Sequence, residues 1–524
     1  MTSITASTQS TTDNKLFIEN YKILQNSPES DTKLSHNFHT VDLVTGKLKN
    51  VALKELLLAL NIDRSGSMVA QAKDGYTALQ HTIHTAKNII GYLEELKEDN
   101  PELNLNLLIN LFDDKNTMIG LYEIGQKSEE VKKEYIKKLE KVEPRGATNI
   151  SGAFEKIKEN TVYSSTPNEK KAHILMTDGR PNDGKTSAEG IIENNPAGNQ
   201  IVIGYGTGHD AVLLQKMAEL SKGSYHFVDS IENAGMVYGE IIHGLLYAAV
   251  KNISVVIKGA EVYDFTTNTW TNKISFNTFA SEHTQSLIMR NSWDTVEPIS
   301  FNIVYTETGN NVKHSKTEVF NSYNCTNGES KETSRSIDVE KQMFRQKTLD
   351  ALFKAKSTLL EAEKELLEKN LLELQKELKE FMKRNKLEDD AFMQKLVTDV
   401  YVAYTGINSH NGAAFINSRR TTQGYQRAYD VNNFDGLTRN MDLGNALFGA
   451  PASVLGASMG NSMGLDISKR CNYRRASAPC SAPMPMMSAP TMTGRQTSCY
   501  TTPTQAMAMR SCSQQPLVED SDDE

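Results

Sequence analysis

The sequence predicts a doubly wound α/β domain with a largely parallel sheet, then a small antiparallel β-sandwich, a helical segment and a disordered tail. Three observations carry that expectation. From Val51 to about Val250, short apolar runs alternate with amphipathic stretches. From Lys251 to about Tyr323 the texture is strand-only, broken by Asn-, Thr- and Gly-rich turns. From Ser334 to Tyr404, apolar residues recur mostly at three-to-four spacing among acids and bases, the period of a helix. A chain of 524 residues has room for two to four such units, at roughly 100–200 residues each.

In the first unit (51–250), Glu55–Ile62, Asn104–Phe112, Met118–Ile124, Ala172–Met176 and Gln200–Tyr205 read as strands. Several are almost continuously apolar, as strands buried on both faces are. Tyr76–Leu96, Ser128–Leu139, Ile150–Glu159, Ala211–Leu220 and Ile231–Val250 have helical spacing. The second unit (251–323) runs through NISVVI, AEVYDF, KISF, QSLIMR and ISFNIVY, and holds both Trp270 and Trp293, read as core or edge aromatics. The third (334–404) has about four heptads whose register drifts. A helical hairpin packed within the chain is favoured over a short coiled coil that self-associates. Residues 1–35 and 469–524 are expected to be disordered, and 405–468 to be irregular and Gly/Asn-rich.

Charge and cysteine narrow the function classes. Lys+Arg 57 against Asp+Glu 65 leaves −8. Five of the acids are Glu519, Asp520, Asp522, Asp523 and Glu524, and the stretch from Lys469 to Arg510 before them is basic with no acid. That stretch lacks interleaved aromatics beyond Tyr473 and Tyr500, which disfavours nucleic acid as a partner. No apolar run approaches the roughly 18 residues of a membrane span, and the polar N-terminus has no signal-like core, so an intracellular, cytoplasmic protein is expected. The 5 Cys match no zinc template and read as reduced thiols. Ser477 follows Arg474-Arg475-Ala476 and Ser521 precedes Asp522-Asp523-Glu524, which makes both candidate phosphorylation sites.

Three loops carry the candidate chemistry. Asp63-Arg64-Ser65-Gly66-Ser67-Met68 follows the first buried strand, at the sheet edge where α/β folds bind ligands. Arg145-Gly146-Ala147-Thr148-Asn149 is a glycine turn opening a helix, and Thr177-Asp178-Gly179-Arg180 follows AHILM. Each string alone is weak, and a lone Asp at a strand end is more often a helix cap. Together they offer an all-oxygen, carboxylate-poor donor set, which suits a small hard cation such as Mg²⁺, with Mn²⁺ or Ca²⁺ also acceptable. Tetrahedral zinc needs His or Cys, and these loops have neither.

In order and spacing, DRSGSM, GATN and TDG resemble the metal-ion-dependent adhesion site of von Willebrand factor type A domains, over about Val51–Val250. The resemblance implies a six-stranded, mostly parallel sheet whose antiparallel edge strand is Met118–Ile124. It implies that Ser65, Ser67 and Thr148 bind the metal directly, that Asp63 and Asp178 bind largely through water, and that a partner's Asp or Glu carboxylate completes the shell. The wider architecture, with the segment Ser418–Asp430 (SRRTTQGYQRAYD), is similar to intracellular multidomain proteins of this superfamily in fungi, protists and large DNA viruses. The expected function is therefore non-enzymatic, Mg²⁺-dependent protein binding. One rival is a structural or assembly protein using 334–404 and the tail, with a vestigial metal site. The other, disfavoured for want of a general base, is a Mg²⁺-dependent phosphoryl hydrolase supported by Arg64, Arg145 or Arg180.

Overall fold

The computed structural model describes residues 16–24, 36–48, 51–71, 75–125, 129–292, 297–320, 337–356, 361–409, 412–430 and 497–513. Two strands come first, β1 (Leu16–Leu24) and β2 (His36–Thr45). The α/β unit follows as β3 (Glu55–Asp63), α1 (Ala78–Asp99), β4 (Asn104–Phe112), β5 (Asn116–Glu123), α2 (Glu129–Glu140), α3 (Ile150–Glu159) and α4 (Thr161–Ser165). It continues as β6 (Lys171–Thr177), α5 (Ala188–Ile192), β7 (Asn199–Tyr205), α6 (Ala211–Leu220), β8 (Ser224–Val228) and α7 (Ala234–Leu246).

The six strands lie in the order β5-β4-β3-β6-β7-β8. All neighbours are parallel except β4 and β5, so the antiparallel edge is where the sequence puts it. In β3, every residue from Leu56 to Asp63 is buried, the consequence of helices on both faces. Register places Asp63 opposite Phe112 and Ile62 opposite Met176, so the loops leaving β3, β4 and β6 emerge side by side.

The chain then builds β9 (Ala248–Lys258), β10 (Glu261–Asp264), β11 (Thr269–Thr271), β12 (Lys273–Ala280), β13 (Thr284–Ser292), β14 (Ile299–Glu307) and β15 (Lys313–Phe320). The sandwich pairs a five-stranded sheet, β1-β2-β13-β10-β11, with a four-stranded one, β12-β9-β14-β15. The sandwich is therefore discontinuous, and two expectations are corrected. Disorder over 1–35 fails for Leu16–Leu24, because Leu16 and Ile18 alternate inward and join Val41, Leu43, Val255 and Phe301 in one core. The α/β unit is inserted between β2 and β9, with Ala52 and Leu53 amides donating to Leu246 O, so entry and exit lie together. Helical character also stops at Leu246 rather than Val250, and Ala248–Val250 begin β9.

Helices α8 (Ile337–Ala355), α9 (Glu361–Asn385), α10 (Ala391–Gly406) and α11 (Gly412–Tyr425) follow. Four of the six leucines of α9 (Leu367, Leu371, Leu374, Leu378) are buried within the chain, each contributing about 1.5–3 kcal/mol of burial, while Leu366 and Leu372 are exposed. The expected irregular stretch 405–468 is corrected for Gly412–Tyr425, a helix buried almost throughout although it reads SRRTTQ. Its charges are matched by residues remote in sequence. Arg419 Nη1 meets Asp430 Oδ1 at 2.8 Å and Asp399 Oδ1 at 3.2 Å, and Lys395 Nζ meets Asp430 Oδ2 at 2.6 Å. The expected disordered tail is corrected for a last helix, Pro503–Ser511, which has a Thr502/Gln505 capping box and packs Ala508, Met509 and Cys512 against the core. Trp293, Cys325, Cys471, Cys480, Ser477 and Ser521 lie outside the described residues. Among the described residues, no helix is long and apolar enough to cross a membrane.

Candidate metal centre

The loops leaving β3 and β6 and the loop opening α3 bring all five sequence-named side chains to one place. Asp63 is the last residue of β3 and fully buried. Its Oδ1 accepts the Ser65 amide at 2.7 Å and its Oδ2 accepts the Thr177 hydroxyl at 2.6 Å. Ser65 and Ser67 hydroxyls lie 3.0 Å apart, and Ser67 Oγ donates to Asp178 Oδ1 at 2.7 Å. A continuous chain of oxygens thus runs from Thr177 through Asp63, Ser65 and Ser67 to Asp178.

Thr148 enters from the adjoining loop. Asn149 caps α3, accepting the Gly152 amide at 2.8 Å, which fixes the turn just before the helix. The Thr148 amide donates to Asn182 Oδ1 at 2.7 Å. Gly179 shows how tightly the hydroxyls converge: a Cβ there would lie 3.1 Å from Thr148 Oγ1 and 3.5 Å from Ser67 Oγ. The missing methyl leaves the space between them open. Ser65, Ser67, Thr148 and Asp178 line a cleft of about 720 Å³, with Asp63 beneath it. The far wall is Tyr205–Gly208, Asp229, Ser230 and Ile231, and Arg180 borders it.

The electrostatics agree with a cation site. Burial pushes the Asp63 carboxyl up to about 6, against hydrogen bonds from Thr177 and Ser65, and the nearby Asp178 charge adds to the rise. Burial also raises Asp178, partly offset by the Ser67 hydroxyl. Two carboxyls held in a buried, hydroxyl-lined site gain from a divalent charge beside them. Among the described residues no three His, Cys, Asp or Glu side chains gather in one place, so a cation here depends on the hydroxyls.

Residues 58–239 match the family model of the von Willebrand factor type A domain. The chain carries a von Willebrand factor type A domain. No curated protein matches the chain. Among solved structures, it is similar to the ArnB paralog VWA2 from Sulfolobus acidocaldarius (13% identity, 78% of this chain and 98% of that one, TM-score 0.43). It is also similar to a von Willebrand factor type A protein from Catenulispora acidiphila (10% identity, 74% and 86%, TM-score 0.42). A third is proximal thread matrix protein 1 from the mussel byssus with a zinc occupied MIDAS motif (17% identity, 39% and 52%, TM-score 0.27). The assignment rests on the family match and on the sheet.

In this type A domain, Asp113 has a role that its strand-end position does not announce. It is fully buried, and its Oδ2 meets Arg64 Nε at 2.9 Å and Arg145 Nε at 2.8 Å. Burial works against its charge, but Arg145, the Lys115 amide and Arg64 together hold its carboxyl below the ordinary range. Asp113 thereby ties the first metal loop to the second, as do the Gly66 amide to Gly146 O and the Arg145 amide to Arg64 O. Thr177 and Asn182 are likewise supporting residues not singled out from the sequence. The loop after β7, Tyr205–Gly208, also lines the cleft.

Proposed function

We propose that the type A domain is a cation-dependent protein-binding module, in which Ser65, Ser67 and Thr148 hold Mg²⁺ directly and Asp63 and Asp178 support it. Mn²⁺ or Ca²⁺ fits the same oxygens. The observation that carries this reading is the convergence of Ser67 and Thr148 hydroxyls on the space that Gly179 leaves open, above a buried Asp63. Neutral direct ligands leave the bound cation under-neutralised, so it attracts a carboxylate from a protein partner. Ser65 and Ser67 orient the site, Thr177 and the Ser65 amide fix Asp63, and Asn182 fixes the Thr148 loop.

Binding is favoured over phosphoryl transfer because Arg64 and Arg145, two of the three candidate phosphate supports, are paired with Asp113. Burial of Leu367, Leu371, Leu374 and Leu378 of α9 inside the chain likewise favours intramolecular packing over a self-associating zipper. Affinity capture with Mg²⁺ and with EDTA, read by mass spectrometry, tests the proposal. Capture should need Mg²⁺ and fall at least about tenfold in Asp63→Ala and Thr148→Ala chains that keep their circular dichroism. Partners retained equally in EDTA and in both variants would overturn it.

A further inference from the structure

Four polar side chains cross the middle of the type A sheet in one hydrogen-bonded row. Asn110 of β4, Asn61 of β3, His173 of β6 and Gln200 of β7 are all buried, in strands that are otherwise mostly apolar. Asn110 Nδ2 donates to Asn61 Oδ1 at 2.8 Å, Asn61 Nδ2 to His173 Nε2 at 2.9 Å, and His173 Nδ1 to Gln200 Oε1 at 2.8 Å. The Gln200 amide nitrogen donates onward to Pro196 O, so its oxygen faces the ring and the row has one direction. Burial pushes His173 down to about 4, which keeps its ring neutral and that direction fixed.

One bond leaves the row. Asn61 Nδ2 also donates to Ala153 O at 3.0 Å, in the first turn of α3. Both amide hydrogens of Asn61 and its amide oxygen are thereby engaged. Asn61 lies two residues before Asp63, on the same face of β3. Ala153 lies one turn beyond Asn149, whose carbonyl accepts the Ala153 amide at 3.2 Å, and Thr148 is the next residue back. Asn61 is therefore a strut between the strand that ends in Asp63 and the helix that Thr148 precedes. Asp113 and the Gly66 amide bond to Gly146 O tie the same two loops to each other. An apolar side chain at position 61 could fill the space, but only a fully bonded amide fixes the distance between strand and helix.

Fixed spacing decides between cations. Mg²⁺ demands near-ideal octahedral oxygens at ~2.0–2.1 Å, whereas Ca²⁺ takes ~2.3–2.6 Å in flexible arrangements. We propose that Asn61 is a positioning residue that makes the cation site selective for Mg²⁺ over Ca²⁺, by holding Thr148 at a set distance from Asp63, Ser65 and Ser67. This rests on the reading of the cleft as a cation centre. Asn61 touches no cation itself. It acts through α3, and freeing α3 lets the Thr148 hydroxyl draw back to the longer distances that Ca²⁺ accepts.

The test is calorimetric titration of the full-length chain with Mg²⁺ and, separately, with Ca²⁺, compared with Asn61→Leu and Asn61→Ser chains. Leucine fills the space without the bonds, and serine has one hydrogen to give where asparagine gives two. Mg²⁺ affinity should fall at least about tenfold in each, while Ca²⁺ affinity changes less than about threefold. Either variant suffices if the other fails to fold. Leu57→Ala is the control: it empties part of the core on the same face of β3 and leaves the row intact. It should lower the melting temperature without moving the Mg²⁺-to-Ca²⁺ ratio. An unmoved ratio in the Asn61 variants, or the same shift in Leu57→Ala, reduces Asn61 to a folding residue and overturns the proposal while the cation reading stands. Loss of the circular dichroism signal in both variants does the same, as does a preference of the unaltered chain for Ca²⁺. An unaltered chain that takes up neither cation sinks both readings.

Discussion

One absent methyl group governs the proposed site. Gly179 has ordinary backbone geometry, so Ala is conformationally permitted there, but its Cβ would sit 3.1 Å from Thr148 Oγ1 and 3.5 Å from Ser67 Oγ. Gly179→Ala is expected to weaken Mg²⁺ by about tenfold or more in calorimetry while the metal-free melting temperature stays within a few degrees. Unchanged affinity would mean that these hydroxyls do not share a cation. The residue pattern was legible to the extent that it is local: Asp63, Ser65 and Ser67 lie in one turn, and Asp178 and Gly179 in another. Thr177 stood in that same candidate loop without a role, because its bond to Asp63 joins residues far apart in sequence. Asp113 gives no local signal of its role, because its two arginine partners arrive from separate loops.

Among the elements, the pairing of α7 with Pro503–Ser511 makes the sharpest prediction. Replacing an interior helix glycine by alanine normally stabilises by about 1 kcal/mol. At Gly239 the new Cβ would meet backbone of the docked helix at 2.5 Å, and backbone cannot rotate away. Gly239→Ala should therefore loosen the C-terminal helix, raising hydrogen exchange at amides 505–512 by about tenfold or more; a net gain in stability with unchanged exchange would contradict the docking. This helix was readable in Thr502-Pro503-Thr504-Gln505, a capping box with proline at the first helical position, but the Ser/Pro/Met composition around it masked the signal. The inward alternation of Leu16 and Ile18 in β1 was equally present, within a polar N-terminal stretch. β8 (SYHFV) was missed because it is a short edge strand with a mixed pattern.

At the scale of the whole molecule, α11 and the residues after it join the units. Arg420 donates to Phe265 O and Gln426 to Ser286 O in the sandwich, while Arg427 donates to Tyr225 O and the Ala428 and Tyr429 amides reach Glu240 in the type A domain. No periodicity could reveal this, because SRRTTQ has no apolar face and its burial depends on Asp399, Asp430 and Glu240 from other elements. Asp430→Ala removes the carboxylate that the buried Lys395 and Arg419 share. Urea unfolding should show a loss of about 3–5 kcal/mol; a loss under 1 kcal/mol would deny the junction its weight. The inserted type A domain presents its proposed cation loops at one end and meets this junction at β8 and α7. The most direct test of the central claim is a crystal grown with Mn²⁺ and measured at the manganese absorption edge. The account predicts an anomalous peak within coordinating distance of the Ser65, Ser67 and Thr148 hydroxyls. A bound Mn²⁺ with none of the three in its shell, or a cleft without a peak at saturating Mn²⁺, would contradict it.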